Sequence, residues 1–69
     1  MKDYKTMTVT ELDKLYWEVY DKMYRLRDHK SYKDYCEIGG AIMQEYGRRD
    51  LVTMSDVAKA VADERKFNA

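Results

Sequence analysis

The feature that most constrains the fold is a helix-start signal that occurs three times along the chain. Each of "TVTE", "SYKD" and "TMSD" places a hydroxyl side chain three residues before a carboxylate, the pattern of an N-cap followed by an acidic first turn. The sequence contains no proline, the residue that most strongly interrupts helices. Three starts without such a breaker predict three helices, so the expected fold class is all-α.

The expected helices cover about residues 9–28, 32–46 and 54–66. Gly47 is expected to end the second helix, as the residue just after its C-terminus. The first connection, "DHKS", is short and polar, which favours antiparallel packing of the first two helices. We therefore expect a compact three-helix unit that forms a single domain over residues 1–69, with residues 1–7 as an N-terminal extension.

Helical periodicity of about 100° per residue places an apolar stripe on each helix. The residues expected to face inward are Leu12, Leu15, Val19, Met23 and Leu26, with Tyr16 and Tyr20 on their flank; Tyr32, Tyr35, Ile38, Ile42, Met43 and Tyr46; and Met54, Val57, Ala60 and Val61. Leu51 and Val52 are expected to fold under the third helix, with Phe67 as a terminal anchor. Gly39 lies within the second stripe, where it either admits a neighbouring helix or ring or is a tolerated defect that kinks the helix.

An aromatic ridge on the first helix points away from this stripe. Trp17 and Tyr24 lie two turns apart and roughly 120–140° from the centre of the leucine stripe, so both cannot be central core. Large rings with a polar tip dominate the binding energy of many protein interfaces. The candidate partner-binding surface therefore consists of Trp17, Tyr20 and Tyr24, with Asp13, Asp21 and Asp28 as an acidic rim.

Three occupants of this surface remain open. The third helix or the N-terminal "MKDYKTM" segment would cover the rings as intramolecular core. A second copy of the chain would cover them as a homodimer, which suits a 69-residue domain whose single core gives little stability. Another protein would need Arg or Lys beside an apolar pocket to match the rings and the carboxylates.

Composition limits the partners and the compartment. Thirteen basic residues balance thirteen acidic ones, so net charge indicates no class of partner. The sequence contains no apolar stretch long enough for a membrane span or a signal-peptide core, and no membrane association is expected. The single cysteine, Cys36, excludes an internal disulfide and fits a reducing compartment, so a cytoplasmic location is predicted.

A second pattern raises nucleic-acid binding as an alternative. Lysines and arginines from Lys22 to Lys33 alternate with tyrosines, as in surfaces that bind single strands. Asp21, Asp28 and Asp34 lie among them, however, which favours a solvated helix end. Gly47 between the second and third helices suits a helix-turn-helix, although the span to the Thr53 cap is longer than the usual tight turn. A nucleic-acid partner is therefore less favoured than a protein.

Catalysis has little support in the sequence. His29 is the only histidine, and neither it nor Cys36 has the second histidine or cysteine that a zinc site needs, so no metal or cofactor is expected. Neither a nucleophile elbow nor a glycine-rich phosphate loop occurs. We therefore predict no enzyme but a small adaptor or steric inhibitor of another protein, a host protein for example, of the kind that phages and mobile elements encode. The alternative is a dimeric, helix-turn-helix-like nucleic-acid-binding regulator.

Overall fold

The structure of this chain, a computed structural model, describes residues 3–68 and is all-α. A 3₁₀ turn, Tyr4–Thr6, precedes three helices: α1, Val9–Arg25; α2, Tyr32–Arg48; and α3, Met54–Asn68. The predicted three-helix fold is confirmed. Within the described residues, none of the three helices combines the length and the apolar character that crossing a membrane requires.

Capping boxes start α1 and α3, as the sequence predicts. The Glu11 amide donates to the Thr8 hydroxyl at 3.1 Å, and the Thr8 amide donates back to the Glu11 carboxylate at 2.8 Å. In the same way, the Asp56 amide donates to the Thr53 hydroxyl at 3.2 Å and the Thr53 amide donates to the Asp56 carboxylate at 3.1 Å. Each box satisfies backbone donors that have no partner within their own helix.

The predicted cap at Ser31 is wrong. Ser31 precedes α2, but its side chain makes no capping hydrogen bond, because its backbone is already helical (φ −77°, ψ −9°) instead of extended. The polypeptide enters α2 through a preceding turn, in which the Tyr32 amide donates to the His29 carbonyl at 3.0 Å. That turn begins early, since α1 ends at Arg25 and not near residue 28.

The end of α2 also differs from the prediction. Gly47 lies inside the helix, and the residue with a left-handed backbone is Asp50, with φ of 61°. The Leu51 amide donates to the Tyr46 carbonyl at 2.9 Å and the Asp50 amide to the Gly47 carbonyl at 3.1 Å, which is the hydrogen-bond pattern of a Schellman motif. Asp50 therefore takes the role that the sequence pattern assigned to Gly47.

A small core joins the three helices. Its buried cluster consists of Leu12, Ile42, Tyr46, Val57 and Val61, with Leu15, Tyr16, Ile38 and Leu51 among the half-buried residues packed against it. The rings of Tyr16 and Tyr46 lie 6.2 Å apart, while Gly39 faces Val19 and Met23. Later residues of α1 thus meet earlier residues of α2, so the two helices are antiparallel as predicted.

Five residues expected to face inward or to flank the inward stripe are exposed instead. They are Tyr20, Met43, Val52, Met54 and Phe67. Phe67 follows Glu64, which contacts the first turn of α1, and its side chain is 92% exposed. Val52 and Met54 flank Thr53, the N-cap of α3, whose capping box leaves both side chains exposed.

Gly39 is not required by a close approach of the helices. A Cβ atom added there would lie 3.7 Å from Val19 Cγ1 and 3.9 Å from Met23 Sδ, which is ordinary van der Waals contact. Helix α2 runs unbroken through this position. The site would therefore accept alanine.

A buried carboxylate, which the sequence analysis missed, organises the end of α2. Glu45 is 5% exposed and accepts hydrogen bonds from Nε of Arg48 at 3.0 Å and from Nε of Arg49 at 2.8 Å. The hydrogen bonds from Arg48, and then those from Arg49, lower the Glu45 pKa to about 2 although burial acts against this. The i, i+3 and i, i+4 spacing to two arginines is the only sign of this cluster in the sequence.

The same cluster holds the N-terminal residues that precede α1. Nη2 of Arg49 donates to the carbonyl oxygens of Tyr4 at 3.1 Å, Lys5 at 3.2 Å and Met7 at 2.7 Å. Tyr4 and Met7 also pack against the hydrophobic core. In the described part of the predicted N-terminal extension, the residues around the 3₁₀ turn are therefore an integral layer of the fold.

Candidate protein-binding surface

The three rings predicted to bind a partner lie on the outside of α1. Trp17 is 51% exposed, Tyr20 54% and Tyr24 75%. Neither α3 nor the described N-terminal residues enclose them, so they are not intramolecular core. The structure thus places the rings where helical periodicity put them, and whether they bind a partner remains a prediction.

Contacts between rings hold this surface in a defined arrangement. Trp17 meets Tyr16 edge to face, with ring centroids 5.4 Å apart and planes at 82°, and it meets Tyr20 at 5.8 Å and 69°. Tyr16 in turn contacts the buried ring of Tyr46. Edge-to-face packing is a favoured geometry for aromatic pairs. A partner would therefore meet Trp17 and Tyr20 already anchored to the core through Tyr16, which lowers the entropy lost on binding.

The three rim carboxylates have different surroundings. Asp13 accepts a hydrogen bond from Nε1 of Trp17 at 3.1 Å and so fixes the indole ring. Asp21 lies 3.2 Å from Nε of Arg25 in an exposed ion pair. Asp28 lies in the turn after α1, where it lines a shallow hollow together with Tyr24. The predicted acidic rim therefore has a positive charge beside it at Asp21.

An apolar groove lies beside the rings, and the sequence analysis did not predict it. It has a volume of about 200 Å³ and lies between α1 and α2. Its walls include Tyr16, Tyr20 and Met23 from α1, and Cys36, Gly40 and Met43 from α2. The groove exists because Gly39 and Gly40 supply no side chains to fill it, and the adjacent glycines were the signal that could have revealed it.

One flank of α2 extends the apolar character of this surface. Cys36, Gly40, Met43 and Gly47 follow one another at intervals of three or four residues, so they share that flank. Two of the four are glycines and none is Asp, Glu, Lys or Arg. We call the combination of Trp17, Tyr20, Tyr24, the groove and this flank of α2 the aromatic face.

Two chemically reactive side chains near the aromatic face, His29 and Cys36, contact neighbouring residues of the chain. His29 lies in the turn between α1 and α2, where its Nδ1 accepts a hydrogen bond from the Ser31 amide at 3.1 Å. Cys36 lies next to Tyr32, and a hydrogen bond with this thiol raises the Tyr32 pKa. Among residues 3–68, no three His, Cys, Asp or Glu side chains cluster closely enough to hold a metal ion.

Comparison with known proteins found no match for this chain. No protein-family model matches the chain, and no curated protein or solved structure is significantly similar to it.

Proposed function

We propose that this chain is a small protein-binding module, an adaptor or a steric inhibitor, that docks on another protein through the aromatic face. The observation that carries the proposal is the set of three exposed rings, Trp17, Tyr20 and Tyr24, along the outer side of α1. Tyr16 braces the first two of them, and Asp13 also holds the indole. Rings of this kind are the residues that most often dominate protein interfaces. Its single cysteine leads us to expect that it acts in the cytoplasm.

The chemistry of the face indicates the surface it would fit. Its centre is apolar, Asp13 lies beside Trp17 on α1, and Asp28 lies with Tyr24 at the hollow in the turn after α1. A matching surface presents an apolar side chain that enters the groove, with Arg or Lys beside it. Binding of this kind covers the partner's own surface, so inhibition would be steric and would need no catalytic group.

Affinity capture from a cell lysate tests the proposal with a double variant, Trp17→Ala with Tyr24→Ala. Truncating a buried anchor costs about 2 kcal/mol or more, which corresponds to roughly 30-fold weaker binding for each ring. We expect the variant to lose a protein that the wild-type chain captures. Because both rings are at least half exposed, helicity and melting temperature should change little.

Phe67→Ala provides a matched control, since it removes an exposed ring on α3, outside the aromatic face. This control should capture the same protein as the wild-type chain. Equal capture by the double variant would refute the proposal, and so would unfolding of the double variant, because the rings would then serve stability.

A further inference from the structure

The hydroxyl of Tyr46 is a buried polar group that the fold leaves unsatisfied. The Tyr46 side chain is 1% exposed, and its Oη atom has no hydrogen-bond partner within residues 3–68. Leaving a buried donor unpaired costs free energy, and native folds contain few such groups. The position of this hydroxyl therefore calls for a physical reason.

The carboxylate of Asp13 lies near this hydroxyl. Asp13 and Tyr16 are neighbours on successive turns of α1, and the Tyr16 and Tyr46 rings have their centroids 6.2 Å apart. Burial is the main cause of the raised Tyr46 pKa, and the negative charge of Asp13 is the next cause. Asp13 is thus placed to accept a hydrogen bond from Tyr46 after a rotation of its own side chain.

In the observed structure the exposed indole of Trp17 holds Asp13. Nε1 of Trp17 donates to Oδ1 of Asp13 at 3.1 Å. Around the axis of α1, Tyr16 lies about 60° to one side of Asp13 and Trp17 about 40° to the other. Rotation of Asp13 between its staggered rotamers therefore moves the carboxylate from the indole toward the ring that packs on Tyr46.

The two positions of Asp13 have opposing advantages. In the observed position the half-buried carboxylate keeps part of its hydration, but the Tyr46 hydroxyl stays unpaired. In the inward position that hydroxyl gains a charge-assisted hydrogen bond, while the carboxylate loses water. The exposed indole N–H then donates to solvent. Because these contributions oppose each other, a change at one donor can decide which donor Asp13 accepts from.

We propose that Asp13 is a two-position switch, which accepts a hydrogen bond either from the Trp17 indole at the surface or from the Tyr46 hydroxyl in the core. When the indole N–H is removed or is bound elsewhere, the carboxylate turns inward and pairs with Tyr46. An acceptor on a bound protein would release Asp13 in this way, so binding at Trp17 would stabilise the core. Only this last step rests on the proposed function, since the switch is a property of the free chain.

A double-mutant cycle between positions 17 and 46 tests the switch without a partner protein. Trp17→Phe removes the indole N–H and keeps a ring beside Tyr16, and Tyr46→Phe removes the hydroxyl and keeps the buried ring. Urea unfolding gives the folding equilibrium constant of the wild-type chain, the two single variants and the double variant. Tyr24→Phe is the matched control for Trp17→Phe, because it removes the polar tip of an exposed ring near the far end of α1.

Tyr46→Phe should raise the folding equilibrium constant of the wild-type chain about fivefold, since the hydroxyl is unpaired there. In the Trp17→Phe background the same substitution should lower the constant about tenfold, since the hydroxyl is then bonded to a carboxylate. In the Tyr24→Phe background it should repeat the wild-type effect. An advantage of Tyr46→Phe that survives in the Trp17→Phe background would overturn the inference, and so would a reversal in the Tyr24→Phe background.

Asp13→Ala separates the switch from an indirect effect through the Tyr16 ring, which contacts both Trp17 and Tyr46. Without the carboxylate, Tyr46→Phe should change the folding equilibrium constant equally whether position 17 is tryptophan or phenylalanine. A coupling that persists in the Asp13→Ala background would pass through the packed rings, and it would overturn the inference.

These outcomes are separable from those of the proposed function. Affinity capture depends on the exposed rings, whereas the cycle measures the free chain. A chain that captures a protein through Trp17 and Tyr24 but shows no coupling would refute the switch and leave the module. A chain that shows the coupling and captures no protein would refute the module and leave the switch.

Discussion

At the scale of single residues, Tyr46 carries an unusual energetic cost. Its side chain is 1% exposed, and its hydroxyl has no hydrogen-bond partner among the described residues. Burial, with smaller contributions from Asp13 and Tyr16, raises the Tyr46 pKa to about 12. The ring fills the centre of the core, while the hydroxyl adds a desolvated polar group.

We therefore expect Tyr46→Phe to raise the free energy of unfolding by about 1 kcal/mol at neutral pH, since the ring remains and the unpaired hydroxyl is removed. The pKa of the Tyr46 hydroxyl is higher in the folded chain than in the unfolded chain, so folding disfavours its ionisation. The contribution of Tyr46 to the free energy of unfolding is complete below about pH 10 and is lost as the pH rises toward 12. The advantage of Tyr46→Phe should therefore grow over that interval.

Urea unfolding at about pH 7 and pH 11 measures both effects. Tyr24→Phe is the control, because Tyr24 is exposed and its hydroxyl is hydrated. A loss of stability in Tyr46→Phe at neutral pH would show that the hydroxyl is well bonded in the folded chain.

Some residue-scale features could be predicted from the sequence and others could not. Trp17 and Tyr24 lie off the leucine stripe, as their angular distance from it predicts. Periodicity left open whether another part of the chain covers them, and the structure shows both exposed. The burial of Glu45 depends on the N-terminal residues that fold beside α2. Helical periodicity describes single helices and does not predict where those residues pack. The pairing of Asp21 with Arg25 follows from their i, i+4 spacing.

At the scale of elements, the starts of helices were more predictable than their ends. The boxes at Thr8 and Thr53 are local, since each uses groups three residues apart. The end of α2 depends on the arginines after Glu45, which extend the helix past Gly47. Glycine is the usual residue at such an end, so its presence in the interior of α2 was misleading.

This correction leads to a test at Gly47. We expect Gly47→Ala to stabilise the chain by about 0.5–1 kcal/mol, because the residue is inside a helix and a Cβ atom there meets nothing within 4 Å. Asp50→Ala should destabilise it by about 1 kcal/mol, since the left-handed backbone at φ of 61° disfavours alanine. Thermal unfolding measures both, and a destabilising Gly47→Ala would mean that Gly47 ends the helix after all.

Helix α3 supplies a cap to α1 across the fold. The Glu64 carboxylate accepts hydrogen bonds from the amides of Val9 at 3.1 Å and Thr10 at 3.3 Å. A carboxylate at this position also interacts favourably with the positive end of the α1 dipole. Hydrogen bonds with Thr10 are the main cause of the lowered Glu64 pKa.

We expect Glu64→Ala to lower the melting temperature and to speed hydrogen exchange at the Val9 and Thr10 amides, because both donors lose their acceptor. Asp63→Ala removes a neighbouring exposed carboxylate and serves as the control. Unchanged exchange at the two amides in Glu64→Ala would show that the cap contributes nothing to the start of α1.

At the scale of the whole molecule, polar contacts distant in sequence complement the small core. Glu64 ties α3 to the start of α1, and Arg49 ties α2 to the 3₁₀ turn. These pairs join residues 42 to 55 positions apart. The all-α class and the antiparallel helices could be predicted from local patterns, whereas these contacts could not, because capping and periodicity describe single helices.

The two carboxylates in these contacts predict an acid limit to stability. The pKa of Glu45 is lowered to about 2, first by Arg48 and then by Arg49, and that of Glu64 is lowered by its hydrogen bonds. A carboxyl with a lowered folded-state pKa stabilises the fold above its unfolded pKa, near 4.5, and that contribution disappears as the pH falls through the folded value. Stability should therefore fall steadily between about pH 4.5 and pH 2.

A double variant, Glu45→Gln with Glu64→Gln, should be less stable than the wild-type chain at neutral pH, since an amide pairs more weakly with arginine and with backbone donors than a carboxylate does. Its stability should depend less on pH in the acid range than that of the wild-type chain, so the two curves from urea unfolding should converge near pH 2. The remaining dependence comes in part from Glu11, whose pKa is lowered by its hydrogen bonds with Thr8. Glu37→Gln, an exposed position of α2, is the control and should follow the wild-type curve. Parallel curves for the double variant and the wild-type chain would mean that neither carboxylate links protonation to folding.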